Sequence, residues 1–160
     1  MKLLFISLGC DKNLVDSEEM LGMLAADGHE IVDDEDEAEV IIVNTCCFIG
    51  DAKEESVNTI LEMAEKKKAG TCKVLIVTGC MAQRYKKEIS EEIPEVDAIL
   101  GTTSYGDISK AVKEAKAGRN FEEYKSIDFL PDISGKRMLT TGGHFAYLKI
   151  AEGCDKHCTY

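Results

Sequence analysis

The sequence has no uninterrupted apolar run approaching the roughly 20 residues of a membrane span. Its opening Met1-Lys2-Leu3-Leu4-Phe5-Ile6-Ser7-Leu8 also lacks the long apolar core and small-residue cleavage site of an export signal. A soluble chain of the cytoplasm is therefore expected. Basic side chains are scarce against acidic ones, 19 Lys+Arg against 30 Asp+Glu, for a net charge of −11. A nucleic-acid backbone or an anionic lipid surface demands clustered Lys and Arg to displace counterions, so direct binding to either is not expected. The glycine-rich fingerprints G-x-G-x-x-G and G-x-x-x-x-G-K-[ST] are absent, which argues against a nucleotide site. What is present is 160 residues, 44% of them hydrophobic, an ordinary globular composition with room for one well-buried core and something partial beside it.

Residues 2–8, 39–44 and 73–78 are short, aliphatic and β-branched, the pattern of strands buried on both faces of a parallel sheet. Weaker strands are predicted at 30–32 and 97–100, with an edge strand near 121–129. Helical faces alternate with them: Leu14, Leu21, Leu24 and Ala25 before Gly28, then Val57, Ile60, Leu61 and Ala64 before Gly70, then Ile108, Ala111, Val112 and Ala115 before Gly118. Such alternation predicts an α/β fold, a doubly wound, mostly parallel sheet sandwiched by helices. The acidic run Asp33-Asp34-Glu35-Asp36-Glu37 reads as a solvated loop. From about 119 to 143 the periodicity fades around Pro131, Gly135 and Gly142-Gly143, as in a linker. Phe145 to Ile150 then reads as a new strand.

Cysteine carries the chemistry. Seven cysteines, an odd number in a chain without a secretion signal, make disulfides the weaker expectation and metal or redox chemistry the stronger one. Cys10, Cys46 and Cys80 each follow a strand-like run, and ligands of open α/β sheets bind beyond the carboxyl ends of the strands, so the three should converge on one rim. They are either packed core thiols or metal ligands. As ligands they suit zinc or an iron–sulfur cluster. Zinc would want a fourth Cys or His, and His29, His144 and His157 all fall elsewhere. A 4Fe-4S cluster on three cysteines keeps one iron open for a substrate. Gly9 and Gly79 are expected to let the backbone approach such a cluster closely. Cys47 and Cys72 are expected in the core, Cys72 on the opposite rim. Asn13, Asn44 and Gln83, beside the cysteines, either hydrogen-bond cluster sulfurs or cap helices. In the tail, Cys154-Asp155-Lys156-His157-Cys158 has C-x-x-x-C spacing, one cysteine short of C-x-x-x-C-x-x-C.

These stretches resemble the methylthiotransferases, radical S-adenosylmethionine enzymes. The matching residues are Ser7-Leu8-Gly9-Cys10 with Lys12-Asn13-Leu14-Val15-Asp16-Ser17-Glu18, Val43-Asn44-Thr45-Cys46 with Phe48-Ile49 and Ala52 to Ser56, Val77-Thr78-Gly79-Cys80 with Ala82 to Tyr85, Ile93 to Asp97, and Tyr147 to Tyr160. Lys12 to Glu18 and Thr45-Cys46 are similar to the branch that modifies an aspartate of a small-subunit ribosomal protein, with Asp11 standing where that branch commonly has proline. The resemblance implies an auxiliary 4Fe-4S cluster on Cys10, Cys46 and Cys80. It implies a second 4Fe-4S cluster on Cys154, Cys158 and a third cysteine that this sequence does not contain. The second cluster would cleave S-adenosylmethionine to a radical, and the first would carry the sulfur that becomes a methylthio group on the aspartate β-carbon.

The domains expected are a cluster-binding α/β domain at 1–118, a linker at 119–143, and at 144–160 the truncated start of a radical S-adenosylmethionine barrel. No catalytic side chain is assigned, and the fragment is expected to be an inactive monomer. Two other readings stand beside this one. The first is a tRNA (adenosine) methylthiotransferase of the same family, for which the first motif would read Gly-Cys-Gln-Met-Asn. The second is a flavodoxin-like redox or binding module with Cys46-Cys47 as a reactive pair.

Overall fold

The computed structural model describes residues 1–130, 135, 137–154 and 156–159. Pro131 of the expected linker, and Asp155 and Tyr160 of the tail motif, lie outside them.

The aliphatic runs form one open sheet of six parallel strands: β1 (Lys2–Ser7), β2 (Glu30–Ile31), β3 (Val40–Thr45), β4 (Val74–Gly79), β5 (Ala98–Leu100) and β6 (Phe121–Glu123). Their order is β2-β1-β3-β4-β5-β6. Every residue of β3 and β4 is buried. Successive side chains point to opposite faces of a strand, so the four aliphatic residues that open each of these strands serve two cores at once. Ile41, Val43, Leu75 and Val77 belong to one, Val40, Ile42, Val74 and Ile76 to the other.

Helices cover both faces: α1 (Asp11–Ala26), α2 (Gly50–Lys68), α3 (Cys80–Arg84), α4 (Lys86–Glu92) and α5 (Ile108–Lys116). Ile60, Met63, Met81, Ala82 and Ile89 bring α2, α3 and α4 onto the first core. Met20, Leu24, Ile108, Ala111 and Val112 bring α1 and α5 onto the second. Each fully buried Ile or Met contributes about 1.5–3 kcal/mol by leaving water. The doubly wound α/β arrangement predicted from alternation is the one observed.

Three local expectations change. Leu61, placed on the buried face of α2, is 46% exposed, and Met63 fills the core beside Ile60 instead. The helices α3 and α4, of five and seven residues, are too short to show a period and were not anticipated. Residues 145–150 pair with no strand among the described residues. A lone extended segment forms a ladder only beside another backbone edge, and here the carbonyls of Phe145 and Tyr147 accept from the Thr141 hydroxyl at 2.6 Å and Arg137 Nη1 at 2.7 Å.

That segment crosses the outer side of α1. In the middle of the helix Asp16 is buried against Lys149 of that segment and Glu18 against Arg137 and Thr140 just before it, while Ser17 is buried against the sheet through Ser7 and Asn44. The expected edge strand is β6, shorter than its range of 121–129. The acidic run is a loop before β3, with Lys66 reaching Asp36 at 2.7 Å and Glu35 at 3.4 Å.

Candidate functional site

The chain runs from β1 to β2 on one side of the sheet and then returns to place β3 on the other, so its winding reverses between β1 and β3. Crevices in open α/β sheets form at this reversal, beyond the carboxyl ends of the strands. Cys10, Cys46 and Cys80 occur there. The ladder pairs Ser7 with Asn44, Asn44 with Thr78, and Thr45 with Gly79. Cys46 and Cys80, each the next residue, therefore leave the sheet at the same level. Cys10 sits three residues past the end of β1, at the N-cap of α1.

The three cysteines line one cleft of about 1180 Å³ together with Gly9, Lys12 and Ile49. Phe48 stands on its lip, 92% exposed. Among the described residues no three Cys, His, Asp or Glu side chains form a compact cage for a single ion.

A set of buried polar side chains holds the loops. Asn13 Nδ2 donates to the Leu8 carbonyl at 3.1 Å and the Thr45 carbonyl at 2.9 Å, tying the first cysteine loop to the second. Asn44 Nδ2 donates to the Asn13 carbonyl at 3.0 Å and to Ser17 Oγ at 2.9 Å. Ser56 Oγ accepts from the Cys46 N–H at 3.0 Å and donates to its carbonyl at 2.8 Å. Thr45 Oγ1 donates to the Thr78 carbonyl at 2.6 Å. Neither asparagine caps a helix. Gln83 is turned away, with its amide oxygen against Gly101.

The glycines also serve the packing of the loops. Gly9 and Gly79 have φ of +97° and +95°, a region that side chains disfavour. A Cβ on Gly9 would lie 2.6 Å from Cys46 Cβ, and one on Gly79 would lie 2.3 Å from Asn44 Oδ1 and 2.5 Å from the Thr45 carbonyl. Their missing side chains let the cysteine loops pack on one another, and Gly9 lines the cleft as well.

Cys80 Sγ lies 3.8 Å from Asn13 Oδ1 and 4.0 Å from Thr102 Oγ1. Burial pushes its thiol up; the Thr102 hydroxyl opposes this, and the Cys46, Cys47 and Cys10 thiolates reinforce it. Closely grouped thiols that repel as anions are what a cationic metal centre relieves. Thr102 was not picked out in the sequence, and Ser56 stood there only as the end of the matching stretch Ala52 to Ser56, without a role. Thr102 follows the carboxyl end of β5, so the strand-end rule that located the cysteines would have reached it.

The other cysteines do not line the cleft. Cys47 is half-buried against the core under α2 and does not line the cleft. Cys72 is buried on the opposite rim, its thiol donating to the Val74 carbonyl at 3.0 Å, and burial pushes its pKa up. Cys154 and Cys158 are exposed. The chain just before them touches the cleft through Lys12, which donates to the Glu152 carbonyl and pairs with its carboxylate at 3.8 Å.

Residues 2–101 match the family described as Uncharacterized protein family UPF0004. A ribosomal protein uS12 methylthiotransferase RimO of Lachnoclostridium phytofermentans is 62% identical over 160 residues, 100% of this chain and 36% of that relative. Proteins of the same description from Clostridioides difficile and Acetivibrio thermocellus are 50% identical over 160 residues and 52% over 165, covering 100% and 97% of this chain and 36% of each relative. The chain thus spans about a third of the length of the curated relatives it matches.

Proposed function

The chain belongs to the uncharacterized protein family UPF0004, and on that premise we propose that it is the cluster-binding domain of a methylthiotransferase, with a 4Fe-4S cluster held by Cys10, Cys46 and Cys80. The observation that carries this reading is the convergence of three thiols, from three neighbouring parallel strands, on one cleft at the point where the sheet reverses its winding. The donor set is thiol only, which suits iron and sulfide, and its three members leave one metal position without a protein ligand. When bound, such a cluster supplies an iron open to a sulfur-bearing ligand.

The protein's own part is ligation and placement. Ser56 fixes Cys46 through both its backbone groups, while Asn13 and Asn44 keep the Cys10 and Cys46 loops in register. Phe48 and Ile49 give the cleft an apolar lip against water, and Lys12 sets a cation beside a cluster whose thiolates are negative.

The relatives are named for ribosomal protein uS12, which supports methylthio transfer to the β-carbon of an aspartate in that small-subunit protein as the reaction of the whole enzyme. The net charge of −11 suits a basic protein partner. That common naming favours this reading over the tRNA and flavodoxin-like ones. Cys154 and Cys158 would contribute to the second 4Fe-4S cluster, the one that engages S-adenosylmethionine. The cluster domain takes in residues 1–118 and, from the expected linker at 119–143, the edge strand β6; residues 144–160 are the truncated start of a radical S-adenosylmethionine domain, and the setting is the cytoplasm. No helix among the described residues is long and apolar enough to cross a membrane.

The test is anaerobic reconstitution of the chain with iron and sulfide. About four of each per chain are expected, lost in Cys10→Ala, Cys46→Ala and Cys80→Ala and retained in Cys47→Ala and Cys72→Ala. A folded chain that binds iron equally well without Cys80 would overturn the assignment.

A further inference from the structure

The middle of α1 carries two acidic side chains that the cleft does not use. Glu18 is fully buried. Its carboxylate pairs with Arg137 and accepts from the Thr140 N–H at 2.6 Å and the Thr140 hydroxyl at 2.8 Å, while its backbone carbonyl accepts from the Met138 N–H at 2.9 Å. Two residues nearer the cysteines, Asp16 pairs with Lys149. That ammonium is itself nearly buried, lying 2.6 Å from Glu152 and 5.3 Å from the centre of the Tyr105 ring. Tyr147 meets Asp11, which pushes its phenol up, and Glu152 meets Lys12.

These contacts have a direction. They begin at Glu18 with residues 137–140 and finish at Asp11 and Lys12, the first turn of α1, with residues 147–152. The helix therefore offers the passing chain a line of charged anchors that leads from its middle toward the N-cap residue Cys10.

We infer that residues 137–152 form a strap, latched to α1 through Asp16 and Glu18, which delivers Cys154 and Cys158 to the lip of the thiol-lined cleft. Burial makes the latch selective. A carboxylate shut away from water is tolerated only with its partners in place, so the Glu18 site admits the strap with its Arg137 and Thr140 groups and strongly disfavours standing empty. The role of the two delivered cysteines rests on the cluster reading above; the latch does not, and the experiment is done without iron so that the two can fail separately.

The probe is amide hydrogen exchange of the reduced, iron-free chain, with cross-linking of exposed thiols by a short bis-maleimide mapped by mass spectrometry. The amides of Met138 and Thr140 are expected to be protected, and Cys154 to cross-link to Cys10. In Arg137→Met/Lys149→Met, protection at Met138 and Thr140 should fall by about tenfold or more. The Cys154–Cys10 product should fall several-fold, with the amides of β3 and β4 unchanged. Should the double variant also loosen β3 and β4, Lys149→Met alone must lower the cross-link with the sheet intact. Unprotected amides at Met138 and Thr140 in the unaltered chain, or a cross-link yield that no latch substitution changes, would overturn the inference.

Discussion

Gly79→Ala isolates what the packing of the cysteine loops costs when it is disturbed. Gly28 is the comparison, because it shares the positive φ, +83° against +95°, but has nothing within 4 Å of an added Cβ. Gly28→Ala should carry the conformational strain alone, about 1–2 kcal/mol. At Gly79 the new Cβ would lie 2.5 Å and 2.8 Å from the carbonyl oxygen and nitrogen of Thr45, backbone at the centre of the sheet that cannot swing aside, and 2.3 Å from Asn44 Oδ1. Overpacking adds about 1–3 kcal/mol, and disturbing the two donated hydrogen bonds of Asn44 about 1 kcal/mol more. The expected total is about 3–6 kcal/mol, a large share of the stability of a domain this size. Gly9→Ala falls between them, since its obstacle is the Cys46 side chain, Cβ at 2.6 Å and Sγ at 2.9 Å. It should stay folded yet displace a thiol, and so lose iron in the reconstitution while keeping its secondary structure. Urea unfolding of the three variants gives the energies. Equal losses for Gly79→Ala and Gly28→Ala, within about 0.5 kcal/mol, would refute the idea that the loops are packed to contact.

Ile60→Ala should cost about 2–5 kcal/mol and Leu61→Ala less than about 0.5 kcal/mol, because the first is fully buried and the second 46% exposed; denaturant midpoints distinguish them. Asn13→Ala leaves the Leu8 and Thr45 carbonyls without their donor, at about 1–3 kcal/mol, and should lower iron retention as well. Burial raises Asp16 from 3.8 to about 6, Lys149 notwithstanding. The folded state therefore takes up a proton that the unfolded state does not, and stability should rise by roughly 1 kcal/mol as pH falls from about 7.5 to about 5. Burial also works against the Glu18 carboxylate, but Thr140 and Arg137 outweigh it and hold the group below its usual range, so its contribution has the opposite sign and is lost only in stronger acid. Thermal unfolding across this range should show the rise in the unaltered chain and a flatter profile in Asp16→Asn.

The sheet was legible because β3 and β4 serve two cores and so each open with four consecutive aliphatic residues, Val40 to Val43 and Val74 to Val77. Strand ends fixed the level of the three cysteines for the same reason. Leu61 was misplaced because four apolar residues define a helical face only to within about a turn, and Met63 competes for the same core. The burial of Asp16 and Glu18 had no periodic signal at all: what covers them is a segment more than a hundred residues along the chain, joined by ion pairs rather than by an apolar stripe. Ser56 had no legible role, since a single hydroxyl becomes informative only when its distant partner is known, whereas Thr102 lay within reach of the strand-end rule.

The parallel register has a consequence for where this chain can change length. One residue added within β3 or β4 would turn every later side chain of that strand to the opposite face and carry Cys46 or Cys80 out of level with its neighbour. The opposite ends of the same strands face no such demand. The loop at 33–37 is exposed and touches the rest of the molecule mainly through Lys2 and Lys66, and each doubling of such a loop costs only about 0.6 kcal/mol. Insertions, tags and new termini belong at that rim, where the fold can absorb them while its other rim stays fixed.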